Sequence, residues 1–204
     1  AGSLLMARDH GEQCACTVCV GATEGKNVTI SASYKAEQQR LHENNPNYGV
    51  ASVEFAPTVS KLINNLGIRK VLDYGAGKGR LGQNLEVNHP VTLTLYDPGI
   101  PGIDEVPEPH EMVCCIDVLE HIEPEFIDAV LDDLQRLVVR LGFFTIHTGP
   151  AMKTLSDGRN AHLIQEGPEW WLPRILSRFE LHAYNRVSAQ GFQVIVCPLL
   201  PISD

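Results

Sequence analysis

Residues that could do chemistry fall in groups along this chain. In the run KVLDYGAGKGRLGQNL, Asp73, Gly75, Gly77 and Gly79 form D-x-G-x-G-x-G directly after an apolar stretch and directly before a helical one. Glycine lets the backbone turn sharply and approach a ligand, and the N–H groups at a helix start offer that ligand a polar surface. Ala76 shares the loop. A further apolar run, VTLTLY, ends at Asp97 and Pro98. A carboxylate placed there can accept hydrogen bonds from both hydroxyls of a ribose. The segment HEMVCCIDVLEHIEPEF then delivers Asp117, Val118, Glu120 and His121 at the carboxyl end of a strand, where open α/β sheets gather their sites.

Downstream, His147 ends the apolar run FFTIH, and the polar loop after it carries Lys153, Arg159, Asn160 and His162. Against an acidic background these side chains suit a phosphate, a carboxylate or a nucleotide, or they are simply a solvated loop. Trp170 and Trp171 open the next helical stretch, and one of them is expected in the core. Near the start, His10, Cys14, Cys16 and Cys19 make H-x3-C-x-C-x2-C, enough soft ligands for tetrahedral zinc, the alternative being free thiols in a mobile arm. Cys114 and Cys115 lie in an apolar run and read as packing residues.

The elements that must position these groups follow from periodicity. SYKAEQQRLHENN has helical composition behind a Ser cap, and a second helix is expected after Pro57, with Val59, Leu62, Ile63 and Leu66 on one face and Gly67 as its stop. From there short apolar runs alternate with helical stretches, the pattern of βα units and a mainly parallel sheet. Strands are expected at 70–74, 91–96, 112–117 and 142–147, and helices at 79–87, 124–140 and 168–178. Segments 179–187 and 191–198 read as an antiparallel pair closing the sheet. The proline-rich stretch between Asp97 and Glu111 leaves no room for a full crossover unit, only for a short strand near Ile103 to Val106. The domain reading is an irregular arm over 1–32 and a catalytic domain over 33–204.

The 204 residues are 44% hydrophobic and 20% charged, an ordinary globular balance able to bury a core. No apolar run approaches the ~20 residues that span a bilayer, and an intracellular, cytoplasmic protein is expected. A net charge of -9 argues against non-specific binding to a phosphate backbone. Ala1, Gly2 and Ser3 read as a remnant of tag removal, with the natural start expected at Met6 or earlier.

VLDYGAGKG resembles the first motif of class I S-adenosylmethionine-dependent methyltransferases, and LYDP resembles their second, acidic motif. The similarity runs from Val71 to Gly149. It implies a Rossmann-like, doubly wound, mainly parallel sheet with helices on both faces and an antiparallel C-terminal strand pair. S-adenosylmethionine would lie on Asp73, Gly75, Ala76, Gly77, Gly79, Asp97, Pro98, Asp117 and Val118, with Asp73 near its methionine moiety. The G-x-G-x-G spacing differs from the G-x-G-x-x-G of dinucleotide enzymes, which disfavours a nicotinamide-dependent oxidoreductase.

DVLEHI resembles the fourth motif of methyltransferases acting on small molecules and on RNA 3′ ends, and it lacks the D/N-P-P-Y/F of amino-methylating DNA enzymes. Small-RNA 2′-O-methyltransferases and ubiquinone-pathway O-methyltransferases carry E-x-x-E-H here with a later histidine and bind a divalent metal. The resemblance implies Asp117, Glu120, His121 and His162 as the matching ligands, with Asp117 replacing the first glutamate. In the metal-free alternative, Glu120 braces the following helix and His121 lines the cleft. The implied reaction is methyl transfer to an oxygen or nitrogen of a small-molecule or nucleotide-type acceptor. His121 or His147 would remove the proton, and Lys153, Arg159, Asn160 and His162 would hold the acceptor. A non-catalytic cofactor-binding subunit is the rival reading.

Overall fold

The structure, a computed structural model, describes residues 28–44 and 51–199. Helices α1 (Ala32–Asn44) and α2 (Ser52–Leu66) lead into strand β1 (Lys70–Tyr74), the short helix α3 (Arg80–Gln83) and strand β2 (Thr92–Tyr96). Strand β3 (His110–Ile116), helix α4 (Ile127–Leu137), strand β4 (Val138–His147), helix α5 (Pro168–Leu176) and the hairpin β5 (Phe179–Ser188) and β6 (Gly191–Pro198) complete it.

The six strands form one sheet in the order β2-β1-β3-β4-β6-β5, parallel from β2 to β4 and antiparallel at β6 and β5. Alternation along the central strands sends side chains to opposite layers. Val71, Met112, Cys114 and Phe143 pack under α2 and α3, whereas Leu72, Val113, Cys115 and Phe144 pack under α4 and α5. In α4 the buried Ile127, Val130, Leu131, Leu134 and Leu137 repeat at helical spacing, so one face is apolar throughout. The strand order reverses direction around β1, and the crevice at the carboxyl ends of β1 and β3 is the switch point where such sheets bind ligands.

Several boundaries differ from expectation by a few residues, and three of them have a physical reason in the contacts. Helix α2 begins at Ser52 and runs through Pro57. The ring costs only the bond to the Val53 carbonyl, in an exposed first turn that water reaches. Helix α3 stops at Gln83 rather than at 87, because α2 draws the chain away: Glu86 N–H donates to Ser60 Oγ (2.9 Å) and Asn88 N–H to Asn64 Oδ1 (2.9 Å). Helix α4 ends at Leu137 because the β-branched Val138 and Val139 begin β4, with Val138 paired to His110. No strand forms at 103–106; that stretch is irregular, tied by Asp97 N–H to the Ile103 carbonyl (2.8 Å). Among the described residues no helix is long and apolar enough to cross a membrane.

Candidate functional site

A cleft of about 450 Å³ opens at the carboxyl ends of β1 to β4, with α1 laid across it. At one end stands the glycine loop after β1. Gly75, Gly77 and Gly79 all take left-handed backbone angles (φ 75°, 53° and 65°), open to glycine at little cost. The N–H groups of Gly75 and Ala76 both donate to the Tyr96 carbonyl, at 2.8 and 3.0 Å, which sets the loop against the end of β2. Asp97, one residue further on, accepts Gly77 N–H (3.1 Å) and Gly99 N–H (2.8 Å). Burial still raises its carboxyl above the ordinary range, while those two N–H groups and the nearby His42 pull it back.

Asp73, at the floor, is 3% exposed and its Oδ2 has no hydrogen-bond partner. Burial and the neighbouring Asp97 push its pKa up to about 7. Asp73, Gly75, Ala76, Gly77, Asp97 and Pro98 all line the cleft, as do Asp117 and Val118. Gly79 instead caps the start of α3 and backs onto Leu95.

The other end is crowded with titratable side chains. Among the described residues Asp117 is the one non-glycine with positive φ (58°), a strained conformation of the kind found at functional sites. Its N–H donates to Thr145 Oγ1 (3.0 Å), which holds the turn. Glu120 is wholly buried. Its Oε1 accepts His147 N–H at 2.6 Å, and its Oε2 has no partner. Burial, and after it the Asp117 carboxylate, drive Glu120 well above the carboxylate range.

Three imidazoles surround this pair. His162 packs edge-on against His121 (centroids 4.7 Å apart) and tilts against His147 (4.9 Å). His121 Nδ1 lies 2.8 Å from the Ala161 carbonyl, and His162 Nδ1 lies 2.7 Å from the Gly149 carbonyl. A carbonyl only accepts, so each Nδ1 carries the proton and Nε2 is the basic nitrogen of both rings. Burial lowers His121 to about 4, with His162 and His147 adding to the effect against Asp117, so the ring is neutral at pH 7. Ligand atoms of Asp117, Glu120 and His162 all lie within 4.8 Å of one another.

The sequence-based candidates are thus not all brought to one place. His121, His147, His162 and Lys153 line the cleft. Arg159 does not: it is exposed and paired with Asp157 (2.7 Å). Asn160 is a brace, its side chain bonding both the N–H and the carbonyl of Ala151 at 2.9 Å and accepting His162 N–H at 2.9 Å. Trp171 is fully buried, Trp170 packs beside it under Arg174, and neither lines the cleft. The expected zinc cluster, His10, Cys14, Cys16 and Cys19, lies outside the described residues.

Sequence reasoning missed the contribution of α1. Tyr34, Gln38 and His42 recur every fourth residue and face the cleft together. Tyr34 Oη donates to the His121 carbonyl (2.7 Å), and Ser31, just before the helix, bonds Glu123 through both N–H (2.8 Å) and Oγ (2.7 Å). The four-residue spacing was visible, but with little apolar content in the helix it marked no buried face.

No family profile and no curated protein matches the sequence. Solved structures do match in shape. The 1,6-didemethyltoxoflavin-N1-methyltransferase of Burkholderia thailandensis, with its substrate and S-adenosylhomocysteine bound, aligns with a TM-score of 0.59 at 18% identity over 84% of this chain and 92% of its own. The fold is that of class I S-adenosylmethionine-dependent methyltransferases. The N-methyltransferase NodS of Bradyrhizobium japonicum WM9, in complex with S-adenosylhomocysteine, aligns at 0.55 and 12% identity over 79% of this chain and 96% of its own. The small RNA methyltransferase HEN1 aligns at 0.55 and 14% identity over 76% of this chain and 26% of its own. At these identities the likeness is one of fold, and the methyltransferase fold places the glycine loop and Asp97 at its switch point.

Proposed function

We propose that this protein is an S-adenosylmethionine-dependent methyltransferase acting on an oxygen of a small-molecule or nucleotide-type acceptor. The observation that carries this reading is the meeting, in one cleft, of the glycine loop and Asp97 with Asp117, His121, His147 and His162, backed by the buried Glu120. The first set suits an adenosine whose ribose hydroxyls donate to Asp97, with Asp73 Oδ2 facing the ammonium of the amino-acid tail. The second set suits a hydroxyl that must lose a proton as it attacks.

In the reaction the acceptor oxygen attacks the sulfonium methyl carbon in line. The new O–C bond forms as the S–C bond breaks, sulfur keeps the electron pair, and the hydroxyl proton passes to the imidazole of His147. The sulfonium already makes the methyl electrophilic, so the chain's main contribution is alignment, in a cleft that Tyr34, Gln38 and His42 of α1 help to line.

The cluster also fits a divalent cation. Glu120 Oε2 is a buried oxygen without a partner, His121 and His162 are held with Nε2 basic by backbone carbonyls, and such carbonyl bonds are how metal-binding histidines are oriented. Asp117, Glu120 and His162 would hold the ion, with His121, the fourth candidate, packed against His162 but outside the group whose ligand atoms converge; the ion would supply Lewis acidity to lower the pKa of an oxygen bound beside it. To test this, methyl transfer from labelled S-adenosylmethionine to catechol and to a ribonucleoside 3′-terminal diol is measured in a Cys14→Ser, Cys16→Ser background. Transfer that falls to background on chelation and returns with magnesium or manganese is expected; full turnover after exhaustive chelation would remove the metal from the account.

A further inference from the structure

Three imidazoles meet at one end of the cleft, and each sets its Nδ1 against the backbone of the arm after β4, residues 148–162. His121 Nδ1 lies 2.8 Å from the Ala161 carbonyl, and His162 Nδ1 lies 2.7 Å from the Gly149 carbonyl. His147 Nδ1 stands 3.1 Å from both the nitrogen and the oxygen of Gly149. The hydrogen bond at one ring nitrogen decides the state of the other, so the peptide groups of the arm aim these rings. Asn160 in turn aims the peptide groups.

Asn160 is half-buried and does not line the cleft itself. Its Oδ1 accepts Ala151 N–H and His162 N–H, both at 2.9 Å, and its Nδ2 donates to the Ala151 carbonyl, also at 2.9 Å. Two donors meeting one atom and a carbonyl meeting the other fix which way the amide faces. A peptide unit is planar, so the His162 N–H that Asn160 holds and the Ala161 carbonyl that holds His121 turn together. The second grip acts through a proline. Ala151 N–H belongs to the peptide after Pro150, whose ring fixes its own φ, and the peptide before Pro150 carries the Gly149 carbonyl that holds His162. One amide therefore stands a single planar group from the anchor of His121 and two from the anchor of His162. Other bonds close the outer arm alongside it: Ala161 N–H donates to the Lys153 carbonyl (2.9 Å), Leu155 N–H to the Arg159 carbonyl (2.8 Å), and Ser156 bonds Glu37 through N–H and Oγ.

We propose that Asn160 is a positioning residue that sets the tautomer of His121 and His162, keeping the proton on Nδ1 and leaving Nε2 basic in both rings. Only the use of those rings in methyl transfer rests on the methyltransferase reading. The test is 15N NMR of the ring nitrogens in the full chain, free of metal at pH 8. His121 and His162 are assigned from their Gln variants, and His89 and His110, which lie outside the cleft on partners of their own, serve as controls. In the parent both site rings should carry the proton on Nδ1. Asn160→Ala, with folding checked by thermal melting, should move His121 to the Nε2–H form or to a mixture of the two and shift His162 with it, while the controls keep the parent's signals. Asn160→Asp still offers an oxygen to His162 N–H, so its His121 should match the parent's. Parent-like signals from both rings in Asn160→Ala would reduce Asn160 to a brace and overturn the proposal, as would a parent whose site rings carry the proton on Nε2. Should Asn160→Ala not fold, Asn160→Asp decides alone: the Nδ1–H form of His121 supports the proposal, and its loss in a folded Asn160→Asp overturns it. Calorimetry of the parent with S-adenosylhomocysteine is run beside these spectra. If it shows no binding, the methyltransferase reading fails, and the ring signals still decide the role of Asn160.

Discussion

The two ends of the cleft are built on opposite principles. The glycine-loop end consists of backbone: three glycines at positive φ, loop N–H groups already bonded to the end of β2, and one carboxylate with two of its hydrogen bonds in place. The histidine end consists of crowded side chains, with a strained Asp117, a wholly buried Glu120 whose Oε2 has no partner, and a buried His162 packed against two further imidazoles. A cradle of satisfied backbone costs the folded protein little and can wait for its ligand. A crowded, desolvated cluster costs stability until a proton, a metal or a substrate arrives, and sites that do chemistry accept that cost.

The contrast predicts different failures at the two ends. The largest effect is expected from Gly75→Val. A side chain there collides with Val118 and takes a φ of 75°, which alone costs an L-residue about 1–2 kcal/mol. S-adenosylhomocysteine binding should fall roughly a hundredfold or more in calorimetry; a variant that binds normally would break the idea of a backbone-built cradle.

Asp97→Ala comes next. It removes the carboxylate offered to the ribose and should weaken S-adenosylhomocysteine by about 1.5–3 kcal/mol, the usual range for hydrogen bonds to a charged group. Unchanged affinity would separate Asp97 from the ribose.

The smallest effect belongs to the histidine end, and its sign is the informative part. Glu120 has a raised folded pKa, so between the ordinary carboxylate range and that raised value the folded protein holds a proton that the unfolded chain has released. Its contribution to stability therefore declines as pH rises through this window. Glu120→Gln keeps the oxygen that accepts His147 N–H and puts an N–H donor toward Asp117, so that slope disappears. Thermal melting at pH 8 without metal should show a Tm gain of about 2–4 °C, the shift that ~1 kcal/mol makes in a domain of this size, and the gain should vanish near pH 4. A variant less stable than the parent at pH 8 would mean that Glu120 is not held in an unfavourable state.

Much of this was legible in the residues because backbone-built features follow local rules. Strand β1 and the hairpin of β5 and β6 match their expected spans nearly residue for residue, since alternation and glycine punctuation set them. The ends of α3 and α4 were not, because Ser60, Asn64 and His110, all distant in sequence, decide them. The gathering of Asp117, Glu120 and His162 is implied only by a family resemblance; spacing cannot show that Asn160 folds the arm back so that His162 returns to the end of β3. Arg159, chosen for its charge, points to Asp157 instead, because two oppositely charged residues two apart in a tight turn satisfy each other first.

The central claim, that the cleft is built for an S-adenosyl ligand, is tested most directly by calorimetry of the purified protein with S-adenosylhomocysteine and, in parallel, with NADH. The account predicts one S-adenosylhomocysteine bound per chain and no heat from NADH; NADH binding, or no S-adenosylhomocysteine binding at millimolar concentration, would contradict it.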